Sequence, residues 1–330
     1  MPFFNVIASR ELGARSDVLH QDANYSSQAP ISINTNVLTG NLVVNDFCKT
    51  LVVQGFKFDI GMVYNSMGLP RWQINQTQKI LNVEPNVGLT VKRGDGSEAV
   101  YKFDTTRQCY SYFDASDGLQ TLRFQDGVWV GENIGSGTAE TYDEALQLKT
   151  KTDQYGRKLH FEYDETHRLK AIKGATDPHL EFVYEDGHIQ LYFVVDERKT
   201  LWMDYVFEGD KLTKSMIATD GISNYAIDYS YDDGLLTSIS EQNGKKVQVT
   251  YDANRKIKSI QNTAEHYQFD YDKDKTRLTD AANHTTLYQH NEQGQLGAID
   301  DAHRSLNFTY DDHGRVHQSQ YLDGTRKIFT

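Results

Sequence analysis

From residue 159 onward the sequence returns, about every twenty residues, to an aromatic side chain followed by an acid or amide. Its clearest copies are Tyr231-Asp232-Asp233-Gly234, Tyr251-Asp252-Ala253-Asn254-Arg255 and Tyr310-Asp311-Asp312-His313-Gly314-Arg315. Looser ones carry Tyr163-Asp164, Tyr184-Glu185, Phe207-Glu208, Tyr271-Asp272 and His290-Asn291. The aromatic positions are separated by 21, 23, 24, 20, 20, 19 and 20 residues. A fixed period of this kind makes each copy one supersecondary unit, which can bury its apolar face only against neighbours or cover.

What that unit is follows from the residues around the aromatic. Two positions upstream lie Phe161, Phe182, Tyr205, Tyr229, Val249, Phe269, Tyr288 and Phe308, and alternation with a period of two puts them on the aromatic's own strand face. After the acid come turn formers, Gly187, Gly209, Gly234, Asn254, Gly294 or Gly314. A second apolar run then starts at Leu169, Ile189, Leu212, Leu236, Ile257, Leu278, Leu296 or Val316. The acid is expected to accept turn N–H groups. At about 3.3 Å per residue, two short strands and two turns use up twenty residues and leave no room for a helix. The chain has 20 Tyr and only 5 Pro, a composition rich in strand formers and poor in strand breakers. The predicted fold is therefore all-β, an antiparallel strip of β-hairpins.

Residues 1–30 are weakly patterned and read as an N-terminal arm; residues 31–150 read as a degenerate β cap, and residues 151–330 as the repeat region. The cap contains Asn36-Val37-Leu38-Thr39-Gly40-Asn41-Leu42, Val63-Tyr64-Asn65-Ser66 and the turn Arg93-Gly94-Asp95-Gly96-Ser97. These stretches, with the eightfold Tyr-Asp register, resemble the Rhs/YD-repeat family over about residues 31–330. The resemblance implies a long sheet spiralled into a shell that encapsulates a toxic C-terminal domain, as in secreted bacterial effectors used in competition. The family's Asp-Pro-x-Gly-Leu type self-cleavage signature and variable toxin domain are not in this chain. It therefore reads as a shell segment, and its partners as a polypeptide cargo or the remaining shell segments.

The composition narrows the alternatives. A formal charge of −12 argues against nucleic acid and anionic lipid surfaces. Two cysteines, Cys48 and Cys109, make no disulfide framework. No apolar stretch approaches a membrane span of about 18 residues, and residues 1–10 lack the basic start of a secretory signal, so delivery by a dedicated secretion machine is expected.

Each chemical motif has a plainer reading. His313 and His317 are four apart, but across a turn rather than along a helix, so no metal is expected. Gly94-Asp95-Gly96-Ser97-Glu98-Ala99 matches a loose dinucleotide string, yet a strand follows it where that motif needs a helix, which makes it a hairpin turn. Ser136 lacks the spacing of a nucleophile elbow, and Asp177-Pro178 is followed by His179, not Gly. Asp232-Asp233 and Asp311-Asp312 are adjacent strand-end acids that point apart, unlike the facing carboxyls of a glycosidase. The chain is accordingly read as a non-enzymatic scaffold without cofactors. The alternative is a carbohydrate- or receptor-binding module on the same strip, with Trp72, Trp129 and Trp202 as candidate glycan contacts.

Overall fold

The computed structural model describes residues 3–10, 12–13, 31–53, 55–114, 118–176, 178–219, 222–303, 305–311, 316–321 and 324–328. Among these there is no helix, and thus none that could cross a membrane. The architecture is all-β, as the repeat predicts.

Five strands form a small sheet in chain order: β1 (Phe3–Ile7), β2 (Ile31–Asn36), β3 (Leu42–Val53), β4 (Phe56–Asn65) and β5 (Trp72–Ile74). β1 runs parallel to β2, so Phe3–Ile7 of the predicted arm joins the sheet. Among the described residues the other 25 strands, β6 (Gln78–Glu84) to β30 (Arg326–Ile328), form a long antiparallel sheet. They pair along the chain, each with the next, as a meander of hairpins requires. Of the region expected as a degenerate cap, residues 78–150 belong to this strip and residues 31–74 to the small sheet.

The alternation read from sequence is the alternation of burial. Leu159 and Phe161, Leu180 and Phe182, Val247 and Val249 are buried, with exposed or half-buried residues between them. Leu169, Leu212, Leu236, Ile257 and Leu296, which open the second strands, are also buried. Register matters because a slip of one residue would turn this entire apolar set to the other face.

By its internal contacts the chain divides into two compact units, residues 1–45, 64–71 and 230–330 in one, and 46–63 and 72–229 in the other. In the first, Asn36, Asn41, Asn65 and Ser66 form a buried network. Asn41 donates from Nδ2 to Asn65 Oδ1 at 3.0 Å and accepts on Oδ1 from the Ser66 hydroxyl at 3.1 Å. The Ser66 hydroxyl accepts the Leu42 N–H at 2.9 Å, and Asn36 accepts the Leu38 N–H at 3.0 Å. These are residues that carry the family resemblance, and their amides replace the hydrogen bonds that a buried irregular backbone would otherwise lack.

The loop they hold is laid against the strip of its own unit. Gly40 O accepts the Ile257 N–H at 3.0 Å, and Val37 O accepts the Thr276 hydroxyl. Gly40 has φ +79°, and a Cβ added there would lie 2.6 Å from Lys256 Cβ. Both conditions demand glycine. Gly40→Ala is expected to lower stability by about 1–3 kcal/mol, read as a lower midpoint in urea denaturation; an unchanged midpoint would show that the loop does not hold this seat.

Candidate functional site

The repeated motif is the place to look for function, because its residues recur at fixed points of the hairpin. The acid acts first. In the turn after Tyr163, Asp164 Oδ1 accepts the N–H of Thr166 and of Arg168, both at 2.9 Å, and the Thr166 hydroxyl at 2.8 Å. Its other oxygen takes the Arg168 side chain, through Nε and Nη2 at 2.8 Å each. Desolvation raises the Asp164 carboxyl, but the bonds from the Arg168 N–H, the Thr166 hydroxyl and the Arg168 side chain outweigh it and hold it at about 2.

The same clamp closes the turns after Asp143, Asp153, Asp252, Asp280 and Asn291, where a side-chain oxygen accepts the N–H four residues on. The residue three after the acid or amide has positive φ in each: Leu146, Gly156, His167, Arg255, Asn283 and Gly294. In the Tyr251 repeat the positive-φ residue is therefore Arg255, one position beyond Asn254. Four expected acids, Glu185, Glu208, Asp232 and Asp272, lie outside the clamp. Glu185 and Asp232 end their strands, and the two-residue turns Asp186-Gly187 and Asp233-Gly234 follow, with positive φ at both positions.

The tyrosine acts between hairpins. The hydroxyls of Tyr163, Tyr184, Tyr251 and Tyr310 donate to the backbone oxygens of Leu148, Leu169, Leu236 and Leu296 at 2.6–2.8 Å. Leu148, Leu169 and Leu296 open the second strand of the preceding hairpin, Leu236 is the second residue of its own, and all four are buried. Burial raises the hydroxyl pKa of Tyr163, Tyr184 and Tyr251 and keeps the donor protonated. In six hairpins a β-bulge falls immediately before the aromatic, at Tyr142, Tyr163, Phe207, Tyr251, His290 and Tyr310. A bulge re-aims a side chain, and here it coincides with the aromatic that reaches back. Tyr64, in the small sheet, mimics the motif: its hydroxyl accepts the Leu236 N–H at 3.0 Å while Tyr251 takes the Leu236 oxygen.

A cation completes the clasp. Arg168, held by Asp164, lies over the Tyr184 ring at 4.3 Å, and Lys256 lies over Tyr271 at 4.8 Å. Lys256 thus takes the place that Arg168 occupies in its repeat. Arg255 instead bonds the previous turn, with Nη1 on Asp233 Oδ2 at 3.1 Å and Nη2 on Asp233 O at 2.8 Å. Asp272 N–H donates to Lys275 O at 2.8 Å; Tyr231 and Asp311 are also in partnered positions. His313, Gly314, Arg315 and Asp177 lie outside the described residues.

Sequence reasoning missed one copy and one class of turn. Tyr142-Asp143 stands 21 residues before Tyr163 and has the same bulge and clamp, but Glu140 sits where an apolar residue was sought. The turns at Asp153 and Asp280 lie between repeats and share only the acid. The Gly94 to Ser97 stretch is a hairpin turn joining β7 (Gly88–Arg93) to β8 (Glu98–Asp104), with Asp95 accepting the Ser97 N–H at 3.0 Å. The tryptophans are held by other rings. Trp72 is buried edge-on to Tyr229 at 5.2 Å, Trp202 is stacked on Phe193 at 4.5 Å, and Trp129 lies between Tyr110 and Phe124.

No protein-family model and no curated protein matches the sequence. Among solved structures, a crystal structure of TcdB2-TccC3 without its hypervariable C-terminal region is 11% identical over 86% of this chain, with a TM-score of 0.34. A TcdB2-TccC3-Cdc42 crystal structure is 10% identical over 85%, with a TM-score of 0.30. In both, the chain spans 23% of the other's length. A porin-like protein from Bacteroides uniformis ATCC 8492 is 12% identical over 64% of this chain, with a TM-score of 0.22. Likeness at this level carries no functional argument.

Tyr184→Phe is expected to lower stability by about 1–2 kcal/mol, the cost of leaving the buried Leu169 oxygen without its donor. Equal urea midpoints for variant and parent would remove the clasp from the account. Asp164→Asn tests the clamp by pH. The Asp164 carboxyl is depressed in the fold, so its contribution is present above about pH 3.8 and is lost as pH falls toward 2. The variant should be less stable at pH 7 by roughly 0.5–1 kcal/mol, as for an exposed ion pair, and indistinguishable near pH 2; a gap that persists in acid would contradict the assignment.

Proposed function

We propose that this chain is a segment of an Rhs-like scaffold that holds a polypeptide, with delivery of that cargo rather than chemistry as its task. The observation that carries the reading is the employment of the repeated residues. Asp164, Asp252 and their counterparts accept turn N–H groups, Tyr163, Tyr184, Tyr251 and Tyr310 bond the preceding hairpin, and Arg168 and Lys256 stack on the next tyrosine. A motif spent on joining hairpin to hairpin builds an extended strip, and an extended strip presents a long face to another chain. The formal charge of −12 favours a basic partner.

The test uses the protein in its native cell. Short-range chemical cross-linking followed by mass spectrometry should join strip lysines such as Lys170 and Lys258 to one polypeptide in fixed stoichiometry, either a covalent continuation of this chain or a separate protein. That polypeptide should resist protease until the strip is unfolded in urea. A monodisperse chain with no protected polypeptide, and with glycan affinity lost on Trp129→Ala or Trp202→Ala, would replace the scaffold with a surface binding module.

A further inference from the structure

Within the unit of residues 46–63 and 72–229, one carboxyl sits where its charge is not balanced. Asp46 on β3 is fully buried. Its Oδ2 accepts the Tyr229 hydroxyl at 2.7 Å, and its Oδ1 has no hydrogen-bond partner. Tyr229 belongs to β20 (Ile222–Asp232), and its hydroxyl is 3.4 Å from that of Ser215, also buried, on β19 (Lys211–Thr219). Trp72 of β5 packs edge-on against the Tyr229 ring.

Among the described residues no cation acts on Asp46. Tyr229 is the titratable group that faces Asp46 from β20, and Tyr205 of β18 (Arg198–Glu208) acts electrostatically on Tyr229. From β19 the facing group is the neutral Ser215. Lys57 and Asp59 of β4 are exposed. Among the described residues no lysine, arginine or histidine pairs with Asp46.

We infer that Asp46 is a proton-operated latch: when neutral it holds β3 against β19 and β20, and when ionised it loosens that contact. An ionised carboxylate here keeps one bare oxygen in an apolar interior, which is costly. The neutral acid removes that charge. Its proton on Oδ2 can be donated to the Tyr229 oxygen, leaving the Tyr229 hydroxyl free to turn toward Ser215. Burial accordingly pushes Asp46 up from 3.8 to about 6, against the Tyr229 hydrogen bond and the neighbouring Ser215 hydroxyl, which favour the charge. Because the folded pKa is raised, the latch is fully set below about pH 3.8 and is released as pH rises through 6. This device does not depend on what the scaffold holds.

Hydrogen exchange followed by mass spectrometry, from pH 4.5 to 8 and corrected for intrinsic rates, reads the latch directly. In the native chain, protection of peptides covering 42–46 and 213–229 is expected to fall with a midpoint near 6, by up to about 100-fold over the full range. Asp46→Asn, which mimics the neutral acid, should flatten the profile. Tyr229→Phe removes the donor that favours the charge and should move the midpoint upward. A flat native profile, or one that Asp46→Asn leaves unchanged, overturns the latch, and the native and Tyr229→Phe profiles decide the matter if Asp46→Asn does not fold.

Discussion

A meander of short hairpins stands or falls on register, and register here rests on the turn clamp. One side-chain oxygen of Asp164, or of its counterparts at 143, 153, 252, 280 and 291, accepts the N–H four residues on and so fixes where the second strand begins. Strands of five or six residues carry few backbone bonds of their own. Without a fixed turn, a slip of one residue would expose the buried Leu and Phe set and bury the intervening charges.

The clamp also sets the distance between neighbours. At Tyr163, Tyr251 and Tyr310, where the bulge precedes the aromatic, the hydroxyl reaches back to a backbone oxygen at the start of the earlier hairpin's second strand. In the Tyr184 repeat the same reach is made from a tight Asp186-Gly187 turn without a bulge. The position of the hydroxyl is kept while the local backbone varies, which marks the bond to the leucine oxygen as the constraint common to the Tyr163, Tyr184, Tyr251 and Tyr310 repeats.

The strip's apolar face is covered by different chemistry in each unit. In one, Gly40, Val37 and Tyr64 satisfy the backbone of Ile257, the Thr276 hydroxyl and the backbone of Leu236. In the other, Asp46 and Trp72 meet Tyr229 with a buried carboxyl and a ring edge. The first set is neutral and fully hydrogen-bonded. The second contains a group whose charge depends on pH, so the two attachments need not respond alike to acid.

Period, alternation and turn residues were legible in the sequence because they are local: the side-chain period of a strand and the φ of a turn are set within a few residues. That is why the hairpins, their apolar face and the role of Asp164 and Asp252 could be read directly. Tyr142-Asp143 escaped because its strand carries Glu140 in place of an apolar residue, and the stacking role of Lys256 escaped because Arg255 beside it looked like the match. What only the tertiary structure decided is which distant residues meet. Asp46 and Tyr229 are 183 residues apart, and Val37 and Thr276 are 239 apart. No local pattern encodes such pairs, since burial and hydrogen-bond partners are fixed only when the strands assemble.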